Sequence, residues 1–324
     1  MRVSAVRAVV VLSLVAIAGC ETIRLPETST PVVSETPPAP PPAAEDVAAP
    51  DDSLARFYAS VEDGLTASGR MRRDTAPADI PWGVPELVHN FERIALYDEY
   101  VEIGGRFVRR AMPATLRRWE RPVRVGLLFG ESIPEAVKAA DRAYVENFTS
   151  RLAELTGLDM TMAGADDTNF LVLFLNREEQ ERFADRAALR LPGFEPSVMR
   201  AIRATPIDTF CTAYAFSEPE DPDRYAAVLV LVKAEHPELT RHSCIEEEMA
   251  QAMGLPNDYD GARPSLFNDS LEFAFLTTHD EVLLRMLYDP RLEPGMTAAE
   301  ARPLLPAIAE DAMRAHGLTV AGGV

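Results

Sequence analysis

Glu246, Glu247, Glu248, Gln251, Asn257 and Asp258 fall within one short stretch, EEEMAQAMGLPND. Carboxylates this dense can share a proton, act as general acid or base, or ligate a hard cation. Consider a helical wheel of about 3.6 residues per turn with Cys244 as origin. Leu255, Ala252, Ile245, Met249 and Met253 then form the apolar arc. Glu248 falls about 40° from the origin, inside that arc, with Gln251 and Glu247 on its border and Glu246 pointing away toward solvent. A carboxylate on the buried side must be hydrogen-bonded, paired or protonated, because burying it bare costs several kcal/mol. Glu248 is therefore a candidate functional acid; the alternative is a structural carboxylate that caps the N–H groups of a nearby loop. Gly254-Leu255-Pro256 ends the helix, glycine through a left-handed turn and proline because the helix cannot continue. A glutamine amide is a poor zinc ligand, whereas Glu247 with Asp258 could hold a harder cation such as calcium or magnesium. His242 and His279 are the neighbouring histidines in sequence, and a lone histidine is more often structural than a ligand.

The elements that must position this helix follow from hydrophobic period. Ser53 to Arg70 carries Leu54, Phe57, Tyr58, Val61 and Leu65 at helical spacing, and Glu86 to Tyr97 carries Leu87, Phe91 and Ile94. Val123 to Phe129 alternates as a strand, and Ser132 with Glu135 gives a capping-box signal for a helix to about Leu155. Phe170 to Leu175 is a continuous apolar run, which suits a buried strand. A helix over Glu178 to Leu189 follows, then strands over Thr212 to Phe216 and Tyr225 to Val232 joined by the acidic turn Glu218 to Asp223. The signature helix runs from about Glu238 to Leu255. Helices over Thr278 to Tyr288 and Ala298 to His316 close the chain. This order predicts an α+β fold with a twisted mixed sheet and long helices.

The N-terminus places the question in a compartment. Arg2 and Arg7 precede an apolar run, Ala8 to Ala16, that is too short to span a bilayer, and Ile17-Ala18-Gly19-Cys20 follows. This resembles the lipobox of bacterial lipoproteins, which implies cleavage before Cys20 and acylation of that cysteine; the alternative is an ordinary signal peptide with an incidental cysteine. Buried acyl chains would anchor the protein without a spanning helix. Residues 21–52 are rich in Pro, Ala, Thr, Ser and acids, and read as a disordered, partly polyproline tether reaching roughly 30 Å as a coil. The formal charge is -19, which disfavours nucleic acid and anionic headgroups. With Cys20 acylated, Cys211 and Cys244 remain in an oxidising compartment. One leads into a strand and the other sits on the signature helix, so a disulfide between them is expected, with two buried thiols as the alternative.

The stretch 246–258 also resembles the HExxHxxGL helix of metzincin-like zinc peptidases, without its histidines. In that resemblance Glu247 and Gln251 stand at the two ligand positions, Glu248 at the general base and Gly254 at the turn. Asn257 or Asp258 stands at the third ligand. Ser265-Leu266-Phe267-Asn268-Asp269 lies where these peptidases have a methionine turn, and Leu276-Thr277-Thr278-His279-Asp280 resembles the start of their closing helix. It is also a plain capping box, Thr277 with Asp280. Arg117-Arg118-Trp119, LTGLD at 155–159, CIEEEMAQAMGLPND, SLFND and LYDPRLEPGM together resemble the bacterial family catalogued as Domain of Unknown Function 2927 over about residues 55–305. The resemblance implies an envelope lipoprotein with a zincin-like fold and no assigned activity. The implied organisation is a signal peptide over 1–19, lipidated Cys20 and tether over 20–52, a helical extension over 53–120 and a zincin-like domain over 121–324.

Three readings compete. The first is a zincin-like module without metal or cofactor. It is anchored by lipid in the bacterial envelope, faces the periplasm and binds a protein or peptide through Glu247, Glu248, Gln251, Asn257, Asp258, Asn268 and Asp269. The second is a hydrolase with an altered site in which Glu248 acts as general base, with or without a non-zinc cation. The third is a structural envelope protein whose helix only packs. The sequence has no GxSxG, P-loop or GxGxxG pattern.

Overall fold

A computed structural model describes residues 52–186, 196–268 and 270–320. In chain order the elements are α1 (Ser53–Ala67), α2 (Val84–Ala95), β1 (Tyr97–Ile103), β2 (Arg106–Pro113), β3 (Val123–Phe129), α3 (Glu135–Thr156), β4 (Met160–Met162) and β5 (Phe170–Leu175). There follow α4 (Arg177–Arg186), α5 (Pro196–Arg203), β6 (Cys211–Glu218), β7 (Asp221–Lys233), α6 (Glu238–Gln251), α7 (Thr278–Leu287), α8 (Ala298–Ala301) and α9 (Leu305–Ala315).

The main sheet has five strands in the order β4-β3-β5-β7-β6. Its first four strands run parallel, and β6 pairs antiparallel with β7 at the edge. This is the mixed α+β plan expected from the sequence. The apolar runs of β5 and β7 are explained by burial on both faces. Val172, Phe174, Val228, Val230 and Val232 point into the main core with α3, α6, α7 and α9. Leu173, Leu175, Leu229 and Leu231 point the other way, into a second cluster with Val198 and Ile202 of α5. Leu87, Phe91 and Ile94 of α2 belong to the main core as well.

Helix α1 is held by polar contacts more than by its apolar stripe, for Tyr58 alone of its residues is buried. The Tyr58 hydroxyl donates to Ile207 O at 2.9 Å and accepts from Lys233 Nζ at 2.9 Å.

Several elements differ from the sequence reading. The hairpin β1–β2, the short β4 and α5 had no strong apolar period to announce them. Ser132 does not cap α3: its N–H and Oγ both donate to Glu179, at 2.8 and 3.0 Å, and Pro134 occupies the N-cap position. The last helix is two helices, because residues 302–304 turn around Pro303, which lacks the N–H a continuous helix would need. The strand expected from Tyr225 begins at Asp221, with bulges opposite Ser217 that accommodate the prolines of the turn.

Candidate functional site

Both ends of α6 are pinned by side chains from elsewhere. At its start, Thr240 N–H and Oγ1 donate to Glu62 Oε2 of α1 at 2.9 and 2.7 Å, which satisfies an otherwise orphaned first-turn donor. At its end, Trp119 Nε1 donates to Ala252 O at 2.9 Å and the Tyr288 hydroxyl to Met253 O at 2.8 Å. Gly254 then turns at φ 124°, and a Cβ there would lie 2.2 Å from Arg117 O. Glycine is required both by the backbone angle and by this approach. A disulfide joins Cys211 of β6 to Cys244 of α6, with the Cα atoms 5.7 Å apart. The disulfide ties the middle of α6 to the edge strand, and the other contacts fix the two ends of the helix.

Glu248 lies there, 6% exposed. Burial pushes its carboxyl well above the usual range, and the charges of Asp258 and Glu99 push it further; the Ala213 N–H of β6 acts in the opposite sense. Gln251 Nε2 donates to Asp258 Oδ1 at 2.6 Å and so aims that carboxylate. Glu99 comes from β1 and pairs with Arg109 of β2 at 2.9 Å. Two phenols adjoin the group. Tyr100 is raised to about 12, by burial first and then by Glu99, with Asp258 and Glu248 contributing less. Tyr214 of β6 is also raised to about 12, again by burial, with Glu248 adding to it. These acidic and phenolic groups meet where the end of α6, the edge strand and the hairpin approach one another.

A carboxyl whose pKa is raised by folding holds its proton more tightly in the folded state. Its stabilising contribution is full below the ordinary glutamate pKa and is lost as pH rises through the folded value. The stability of the wild-type protein relative to Glu248→Gln is therefore expected to fall as pH rises above about 4.5, the ordinary glutamate value. Melting temperatures of the two proteins measured across pH check this. A gap that stays constant, or that widens in favour of wild type, would contradict it.

The other expected site residues are placed as follows. Asn257 is 1% exposed and turned toward the end of α2. Its Nδ2 donates to Arg93 O at 2.7 Å, its N–H donates to Ile94 O at 3.2 Å, and its Oδ1 has no partner. Glu247, half-buried, lines a small cavity beneath α1 with Tyr58, Leu65 and Met71. Asn268 is spent on its own loop, donating to Asp260 O and Ala262 O at 2.9 and 2.8 Å and accepting from Ser270 N–H. Asp269 and Cys20 lie outside the described residues. The structure thus groups Glu248, Gln251 and Asp258, and adds Glu99, Tyr100 and Tyr214, which the sequence reading missed. The signal for Glu99 and Tyr100 was Gly104-Gly105 between two short runs rich in Tyr, Val, Ile and Phe, a hairpin pattern, while Tyr214 lies within the strand expected over Thr212 to Phe216.

Glu246 does not face solvent as its place on the wheel predicts: it is 5% exposed. It accepts from Tyr144 Oη and Leu276 N–H, each at 2.7 Å, with Arg151 at 3.6 Å. The wheel found one apolar face, but α3 and the chain entering α7 cover the other side too.

His279 is fully buried, with Asn90 Nδ2 3.1 Å from its Nε2 and Asp280 Oδ1 3.4 Å from its Nδ1. His242 stacks on Tyr144 with centroids 3.8 Å apart. Among the described residues no three of His, Cys, Asp and Glu gather as a metal would require.

Residues 85–307 match the family described as Protein of unknown function (DUF2927). No curated protein matches the chain.

Proposed function

The chain belongs to the DUF2927 family, and we propose that it is a lipid-anchored protein of the bacterial cell envelope whose zincin-like domain recognises a protein or peptide segment and does not cleave it. The observation that carries this reading is the setting of Glu248. Its carboxyl lies against an N–H of the antiparallel edge strand β6, inside a cleft shared with Asp258 and Glu99. A sheet edge beside a fixed polar groove suits an extended segment added as a strand. The position of Gly254 at the end of α6, and the edge strand alongside that helix, support the zincin likeness. The anchoring rests on Ile17-Ala18-Gly19-Cys20 and on the tether over residues 21–52.

The raised pKa of Glu248 favours one second reading, a hydrolase in which this residue exchanges protons with substrate. Stoichiometric zinc in the purified protein, lost with Glu247→Ala, or peptide cleavage lost with Glu248→Gln, would support it over recognition.

The anchor is tested by fractionation. Cys20→Ala is expected to move the protein from the membrane to the soluble fraction and to change its electrophoretic mobility. Unchanged membrane association would remove the anchor from this account. The recognition itself is tested by in-cell crosslinking of the intact chain and its Glu248→Gln and Asp258→Asn variants.

A further inference from the structure

The hairpin that walls the cleft also presents a second, open surface. Ile103 and Val108 are exposed on one face of the hairpin and Tyr100 and Phe107 on the other, where Phe107 also packs against Tyr214; Met112 is exposed toward the end of β2. Strand β2 is exposed at all eight of its positions, whereas β1 is partly buried over Tyr97, Asp98, Glu99 and Val101. The two strands make a sheet of their own, so one edge of β2 has no strand partner among the described residues. Two-stranded hairpins are marginal, and a long unpaired edge is a template for another strand.

Charge says which strand would fit. On a chain of formal charge -19, β2 carries Arg106, Arg109 and Arg110. Its native neighbour β1 carries Glu99 and Glu102, and Glu99 pairs with Arg109 at 2.9 Å, whereas Asp98 pairs with Arg117. Arg106 and Arg110 have no ion-pair partner among the described residues. Side chains of β2 meet those of any strand on either edge, and opposite charges across strands stabilise while like charges destabilise. A second copy of β2 would set arginine against arginine. A strand with the chemistry of β1, acids interspersed with tyrosine and branched apolar residues, matches the open edge as β1 matches the closed one.

We propose that the open edge of β2 receives an extended acidic segment of a partner protein, added as a third strand. The open edge lies on the side of β2 away from β1, whose Glu99 and Tyr100 adjoin Glu248, and its test reads the edge without the cleft.

The test uses the full chain bearing Cys20→Ala, so that no acyl chain contributes. The probes are a labelled peptide with the sequence of β1, YDEYVEI, and the same peptide with its three acids replaced by lysine. Fluorescence anisotropy is expected to show the acidic peptide binding about tenfold or more tightly than the basic one. Raising the salt concentration should weaken the acidic peptide. The double variant Arg106→Glu/Arg110→Glu, at exposed positions, is expected to reverse the preference. Three results would overturn the proposal. One is that neither peptide binds the wild-type edge, in which case the arginines only guard it. Another is that both peptides bind equally. The third is that anionic phosphatidylglycerol vesicles, and not the acidic peptide, are bound in a manner lost with the double variant, which would make the hairpin a lipid contact.

Discussion

Asp280→Ala is expected to destabilise the protein by about 3–5 kcal/mol, the range for removing one partner from a buried charged network. Asp280 is fully buried. Its Oδ1 accepts from Ser265 Oγ at 2.5 Å, and its Oδ2 accepts from Leu266 N–H at 2.8 Å and from Thr277 N–H and Oγ1 at 2.9 Å each. One carboxylate thus caps α7 and holds the loop that leads into Phe267 and Asn268. Loss of a helix cap alone costs about 1 kcal/mol. The larger figure follows because alanine would strand several donors in a fully buried site, each costing about 1–3 kcal/mol. Asp280→Asn keeps one acceptor and should lose less. Denaturant unfolding of both variants measures this, with a drop in melting temperature on the order of 10 °C for the alanine variant. A loss near 1 kcal/mol would mean that only the helix cap matters.

Removing the Cys211–Cys244 bridge is the other change of this size. The cysteines are 33 residues apart. The entropy of closing such a loop in the unfolded chain corresponds to about 3–4 kcal/mol. Reduction, or Cys211→Ser with Cys244→Ser, should lower stability by that amount. It should also loosen the half of α6 that carries Glu248 from the edge strand. In the denatured, unreduced protein neither cysteine should react with a thiol reagent. Two reactive thiols from these positions would refute the bridge.

The parts of the fold that were readable are those where burial writes itself into the residue pattern. β5 and β7 sit between two cores, so both are unbroken apolar runs, and α6 shows its helical period because one side is packed on them. The capping box of Thr277 with Asp280 is local chemistry and is present in the structure. What was hidden depends on contacts between distant segments. Asp280 also serves Ser265 and Leu266, and nothing in LTTHD announces this. The hairpin escaped because exposed strands carry arginines and glutamates where buried ones carry valines. Missing it meant missing Glu99, and with it half of the charge around Glu248. Glu246 was misplaced for a related reason. Three consecutive glutamates look like a solvated face, yet Tyr144 and the Leu276 N–H come from elements far away in sequence to hold the first of them.

The measurement that bears most directly on the recognition cleft is partner capture by the intact, anchored protein in cells. Chemical crosslinking is performed with wild type, Glu248→Gln and Asp258→Asn, and folding of each is checked by its melting temperature. If the cleft recognises a segment of another envelope protein, both variants keep a folded domain and lose the crosslinked species that wild type forms. If both variants fold and capture the same species to the same extent as wild type, or if wild type captures none, the acidic cleft is a structural network and the recognition account is wrong.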